Sequence, residues 1–331
     1  MKRPRFLPDN FTLILIGLVV GASILPLRGS AVAVGDLATN LAIGLLFFLH
    51  GAKLSTQAVI AGLTHWRLHG LVFACTFLLF PALGLALRPV LEPMIGPELY
   101  IGMLYLCALP ATVQSAIAFT SMARGNVPAA ICSAATSSLI GVFITPVLVL
   151  LMLGTAVQST SLGEAIGNIT LQLLLPFIVG QLLRPWIGQW VINNKAWLKY
   201  VDQGSIYLVI YTAFSRAVVE GIWDTLPLWQ LITLTVACCL LLALVLFIVG
   251  FLAKYFGFNL EDRITILFAG SKKSLATGVP MAQVIFSGAA LGTLLLPLMI
   301  FHQIQLMVCA VLAKRYGQRP EEPSPAVAEA A

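Results

Sequence analysis

Charge is what this sequence has least of. Only 10% of its 331 residues are Asp, Glu, Lys or Arg, against about 25% in a soluble domain. Carboxylates are scarcer than bases, thirteen against nineteen, and each falls in an expected loop, tail or helix end. The sequence has no intramembrane Asp/Glu pair, no His-rich cluster and no Gly-x-Ser-x-Gly elbow, so common hydrolase and metalloenzyme chemistries lack their residues. No enzyme, metal site or cofactor is expected. The six cysteines (Cys75, Cys107, Cys132, Cys238, Cys239, Cys309) match no metal or disulfide spacing and lie in apolar runs, where they read as small hydrophobes.

What is present is apolar length. Hydrophobic residues make up 59% of the chain, and the mean hydropathy is +0.97. At about 20 residues per membrane crossing, ten spans are predicted at 11–27, 38–52, 68–88, 98–122, 126–153, 162–184, 201–219, 228–254, 263–286 and 289–313. The run from Phe11 follows a basic start without a small-residue cleavage site and reads as a retained first span. Threading the chain through ten spans puts fourteen basic residues on the side of the N-terminus and three (Arg28, Arg88, Arg216) on the other. That asymmetry is the positive-inside pattern, with both termini cytoplasmic. The net charge of +6 thus reports topology rather than nucleic-acid binding. The Pro/Ala/Glu-rich stretch 317–331 reads as a disordered tail, leaving 1–316 as one membrane domain.

Two bases fit neither side. Lys272 and Lys273 interrupt apolar runs in Phe268-Ala-Gly-Ser-Lys-Lys-Ser-Leu-Ala-Thr-Gly-Val-Pro280. They lie roughly 12 Å along a helix from Arg263, too deep for snorkelling to an interface. A lysine at mid-membrane costs about 2.5–3.5 kcal/mol on insertion scales. Gly270, Gly278 and Pro280 bracket the pair and predict a broken helix. Span four has a counterpart in Ala108-Leu-Pro-Ala-Thr-Val-Gln-Ser-Ala116. Spans five and ten share a glycine five residues before a proline (Gly141 and Pro146; Gly292 and Pro297). Broken helices at matching positions of two halves are the sign of an inverted-repeat transporter. The halves are 11–153 and 162–313, and an odd number of spans makes one the inverse of the other.

Polar side chains in spans should face protein or a wet cavity. Thr112, Gln114 and Ser115 follow Pro110; Ser133 and Thr136 lie on span five; Ser271 and Ser274 flank the lysines; His302, Gln303 and Gln305 lie on span ten. For Ser137, Ser138 and the span-ten trio, hydrogen bonding between helices competes with ligand contact. His50, Trp66, Trp186, Trp190 and Trp197 read as interfacial residues.

Leu106-Cys-Ala-Leu-Pro-Ala-Thr-Val-Gln-Ser-Ala-Ile-Ala-Phe119, Gly270-Ser-Lys-Lys-Ser-Leu275 and Phe301-His-Gln-Ile-Gln-Leu-Met-Val308 together resemble the sodium/bile acid symporter-like branch of the bile acid–sodium symporter family. The resemblance implies two intertwined inverted repeats. Spans one, two, six and seven form a panel, and the others a core in which broken helices four and nine cross. It places the protein in the bacterial inner (plasma) membrane as a multi-pass symporter. It also implies sodium at the crossing, held by a glutamate and glutamine of helix nine with polar residues of helices four and five. Here Gln114 and Ser115, then Ser133 and Thr136, match those polar positions, but span nine has no carboxylate and carries Lys272 and Lys273 instead. Like charges 4 Å apart repel by about 4 kcal/mol at an effective dielectric of 20. The expectation is therefore that a lysine ammonium stands in sodium's place, facing the negative end of the first half of helix nine. Transport is then proton-linked or uncoupled.

The expected function is secondary transport of a small organic anion by alternating access. Candidate binding residues are Thr112, Gln114, Ser115, Ser133, Thr136, Ser271, Lys272, Lys273, Ser274 and Gln303. A membrane sensor that binds a ligand without moving it is the other reading. Expected partners are the small anion and membrane lipid, with no nucleic acid.

Overall fold

The computed structural model describes residues 10–53, 65–153, 170–286 and 291–319. Among these there are helices and no strands: α1 (Asn10–Ile24), α2 (Ser30–Lys53), α3 (Trp66–Ala86), α4 (Arg88–Ile95), α5 (Pro97–Ala108), α6 (Val113–Met122), α7 (Val127–Leu153), α8 (Leu171–Asn193), α9 (Lys195–Val219), α10 (Ile222–Thr225), α11 (Leu228–Tyr255), α12 (Leu260–Gly270), α13 (Leu275–Ile285) and α14 (Leu291–Gly317). Helices α2, α3, α7, α8, α11 and α14 are each long and apolar enough to cross a membrane, and α5 with α6, bent by 63° at their break, are so only when taken together. The other three predicted spans have helices that fall short of that criterion. α1 has 15 residues. α9 is diluted by Lys195, Lys199, Asp202 and Arg216. α12 and α13 are short pieces around the lysines.

Local chemistry sets the ends and breaks. Asn259 caps α12 by accepting from the Asp262 N–H, and Glu261 and Asp262 complement the positive end of that helix. Ser274 caps α13 in the same way, through the Thr277 N–H. Pro110 cannot donate an N–H, and α5 stops just before it. Pro280, by contrast, does not break its helix; it is accommodated inside α13, and the break falls at Ser271–Ser274. Within α3, a wide turn over Cys75–Leu79 carries the Phe80 N–H back five residues to the Cys75 carbonyl. Pro81 follows and has no N–H to offer the next carbonyl, that of Thr76.

Helices α1, α2, α8 and α9 pack on one another. The rest pack as a second group, with α5 against α14, α6 against α7, and α11 against α12 and α14. Contacts of α9 with α13 and α14 join the two groups. The α2–α8 contact brings backbones together: a Cβ on Gly51 would lie 2.0 Å from the Phe177 carbonyl oxygen, and one on Gly180 would lie 2.0 Å from that of Phe48. Only glycine fits either position. Antiparallel α2 and α9 are clipped at both ends, by Arg216 with Asp36 and by Lys53 with Asp202 at 2.6 Å. These pairs are partly exposed, so each is worth about 0–1 kcal/mol.

The outer surface is greasy. Large side chains such as Ile24, Leu151, Phe247 and Tyr255 are exposed, as are the four expected interfacial tryptophans. His50 turns its Nδ1 to the Leu46 carbonyl. The predicted tail begins too early: α14 runs through Gly317, and Arg319 donates to the carbonyls of Ala123 and Arg124. Residues 320–331, and 162–169 of predicted span six, lie outside the described residues. The shared Gly–Pro spacing of spans five and ten serves two different contacts, because Gly141 packs on Pro110 whereas Gly292 packs on Ala217.

Candidate functional site

The two helix breaks, 109–112 and 271–274, meet. The Ser274 N–H donates to the Pro110 carbonyl at 2.9 Å, and the Thr112 hydroxyl donates to the Lys273 carbonyl at 2.8 Å. Unwinding a buried helix frees backbone groups that must find other partners, and here they do. Thr145 Oγ1 donates to the Ala108 carbonyl at 2.9 Å. The Ala111 N–H turns to Ser137 Oγ at 3.1 Å rather than closing a helical turn. Tyr105 OH reaches across to the Gly278 carbonyl at 2.5 Å.

Lys273 takes two further carbonyls at the α5–α6 break. Its Nζ donates to the carbonyls of Cys107 (2.8 Å), Leu109 (2.7 Å) and Thr76 (2.8 Å). An ammonium has three N–H donors, so every one is used. The Phe80 ring centroid lies 4.2 Å away on the same side chain's course. Thr76 is the carbonyl that Pro81 cannot serve, which makes the wide turn in α3 part of the site. The Lys273 peptide is itself gripped. Gln305 on α14 accepts from its N–H at 2.9 Å and donates to its carbonyl at 2.8 Å, with His302 Nδ1 2.9 Å from the same amide.

Lys272, one residue earlier, lives differently. It too is fully buried, but its Nζ has no hydrogen-bond partner among the described residues. It lies 3.8 Å from the Phe119 ring centroid and 5.8 Å from that of Phe268. Aromatic faces attract a cation, worth about 2 kcal/mol when desolvated. Neither lysine forms an ion pair with any described residue.

The structure sorts the remaining predicted residues. Thr112 and Ser274 belong to the crossing, through the bonds above. Ser271 bonds back to the Leu267 carbonyl of its own helix at 2.5 Å. Ser133 shares a 2.7 Å hydrogen bond with buried His69. Ser115 and Thr136 carry buried hydroxyls without a partner among the described residues. Gln114 is exposed and Gln303 half-buried. The contact with the lysine peptide comes from Gln305, about 200° round the α14 axis from Gln303. Thr76, Tyr105, Ser137, Thr145 and Gln305 were not among the candidates. Ser137 and Gln305 read from sequence as polar span residues open to hydrogen bonding between helices, which is what they do. Pro81 inside span three was the available signal for Thr76, and Tyr105 and Thr145 become visible only once the helices are packed. The expected dipole partner also changes. The ammonium sits at the negative end of α5, while in the last turn of α12 Ser271 takes the Leu267 carbonyl.

The crossing does not fit sodium. Its free carbonyls already hold an ammonium, and no group of three or more His, Cys, Asp or Glu gathers anywhere among the described residues. The neutral hydroxyls of Ser115, Thr120, Thr136 and Thr277 are buried without a hydrogen-bond partner among the described residues.

Discontinuous helices that meet at their breaks, inside a bundle of membrane-crossing helices, define a polytopic transporter built around crossed half-helices. The chain belongs to the SBF-like CPA transporter family, whose sequence pattern matches residues 9–318. It is 65% identical over 330 residues to an uncharacterized protein of Pseudomonas aeruginosa, covering 100% of this chain and 99% of that one. It is 55% identical over 322 residues to YfeH of Escherichia coli strain K12, covering 97% and 96%. Sodium/bile acid cotransporter 7 of Mus musculus is 29% identical over 275 residues, covering 82% and 81%. The protein is thus a multi-pass membrane transporter rather than an enzyme.

Proposed function

We propose that this protein moves a small organic anion across the bacterial inner membrane by alternating access, with Lys273 as a built-in cation where sodium-coupled relatives bind their ion. The observation that carries this reading is the Lys273 ammonium on three backbone carbonyls at the crossing. A tethered cation satisfies the negative end of α5 permanently, leaving no vacancy for sodium. The coupling is then to protons, or absent. The sign of the substrate is supported by two buried lysines with no acidic partner among the described residues, together with the positive ends of α6 and α13 that start at the crossing.

In this reading ten spans form two inverted repeats. The group α1, α2, α8 and α9 acts as a panel, against which the core of α3–α7 and α11–α14 moves. Both termini lie in the cytoplasm, and the substrate binds where panel meets crossing. Ser115 and Thr136, buried with unused hydroxyls, are donors that an opened core can offer to an anion. Lys272, held only by ring faces, is the cation free to turn toward it.

The test is uptake of radiolabelled carboxylates and organic sulfates into proteoliposomes, with and without a sodium gradient. Saturable uptake indifferent to sodium is expected. Uptake that requires sodium, and survives Lys273→Gln, overturns the coupling assignment. Saturable binding without counter-flow overturns transport itself.

A further inference from the structure

Away from the crossing, a groove of about 410 Å³ runs along the outer face between α11 and α14. Its walls include Phe247 and Gly250 on α11 and Val308 and Leu312 on α14, and Leu267 of α12 forms the floor. Both wall helices are long and apolar enough to cross a membrane, so the phase facing the groove is lipid. Helical periodicity carries each wall one turn further to a cation. Lys254 lies four residues beyond Gly250, and Arg315 lies three beyond Leu312, each continuing its groove-facing stripe. Both are exposed and neither pairs with an acid among the described residues. Tyr316, which lines the same end of the groove, adds an amphipathic ring of the kind found at headgroup depth.

An apolar slot that ends beside two cations with no acidic partner among the described residues is complementary to one class of molecule in a bilayer. We infer that this groove holds an acyl chain of an anionic phospholipid, whose phosphate lies between Lys254 and Arg315. The inference rests on α11 and α14 crossing the membrane, and not on what the protein carries. Gly250 matters because its missing side chain opens the wall: a Cβ there would meet only Leu267 Cδ1, at 3.9 Å, so a large residue extends into the slot rather than into the fold.

The experiment is native mass spectrometry of the full-length protein in mild detergent, titrated with phosphatidylglycerol or with phosphatidylcholine of identical acyl chains. One phosphatidylglycerol per protein is expected to bind in preference to phosphatidylcholine. Affinity falls about fivefold for Lys254→Ala or Arg315→Ala and roughly thirtyfold for the pair, since each cation near an anionic headgroup contributes about 1 kcal/mol. Gly250→Trp blocks the slot and removes tight binding of both lipids while the two cations remain. Equal binding of the two lipids by the unaltered protein, or a double variant that keeps its preference, overturns the assignment. A protein that stays dispersed without detergent would overturn the membrane reading instead. Lys254 and Arg315 are surface groups, so thermal unfolding of their variants in lipid-free detergent is expected to match that of the parent and exclude misfolding.

Discussion

Two adjacent lysines with equal burial have opposite accounts with their surroundings. Replacing Lys273 by Met strands the carbonyls of Thr76, Cys107 and Leu109. At about 1–3 kcal/mol for each unsatisfied buried group, the variant should lose about 3 kcal/mol or more in equilibrium unfolding from micelles. Replacing Lys272 by Met strands nothing, because its Nζ has no hydrogen bond. Exchange of a buried charge for an apolar group of similar shape is often neutral or better, so the change should stay within about 1 kcal/mol. Similar losses for the two variants would refute this division. A second check is chemical: Lys273→Ala leaves the carbonyls around an empty space, and added methylammonium should raise its melting temperature while leaving the parent unmoved. From sequence the two lysines were indistinguishable. What separates them is a carbonyl 197 positions away in α3, and no local pattern encodes that distance. That both are buried agrees with the charge placement that set them apart from the interfacial bases.

At the scale of elements, glycines decide how closely helices approach. In α2, a Cβ on Gly51 would collide with the Phe177 carbonyl, whereas one on Gly44 meets nothing within 4 Å. Gly51→Ala should therefore cost about 3 kcal/mol by forcing α2 from α8, and Gly44→Ala should gain roughly 0.4–1 kcal/mol by stiffening the unfolded chain. Unfolding of both variants under one condition reads the contrast; equal effects would mean that α2 and α8 do not touch there. The break in span four was legible because Pro110 states it directly. The break in span nine was legible as to its presence but not its place: Gly278 and Pro280 are tolerated within α13, and the chain unwinds at the lysines, where Gln305 and Pro110 supply the bonds a helix would have made. Helix α9 escaped the apolar criterion for a reason the sequence did show, since charges at its ends pair with Asp36 and Lys53 on α2.

For the whole molecule, the proposed alternating access requires the group holding α9 to slide past the group holding α14. A Cβ on Gly292 would lie 2.6 Å from the Ala217 Cβ, so a cysteine pair must open this contact by about 1 Å to reach the roughly 3.8 Å a disulfide prefers. In a cysteine-free background, Ala217→Cys with Gly292→Cys should crosslink on oxidation and stop turnover until a reductant is added. Undiminished transport by the crosslinked protein would rule out motion across this contact. The grip of three carbonyls on the Lys273 ammonium has an electrical corollary. A cation bonded to the backbone travels with the protein and comes back with it, so over a full cycle it transfers no charge. Without an exchanged proton, the cargo alone does electrical work, about 2.3 kcal/mol per elementary charge for each 100 mV. An inside-negative membrane then drives a carried anion outward, and export draws on the membrane potential itself rather than on the gradient of a coupled ion.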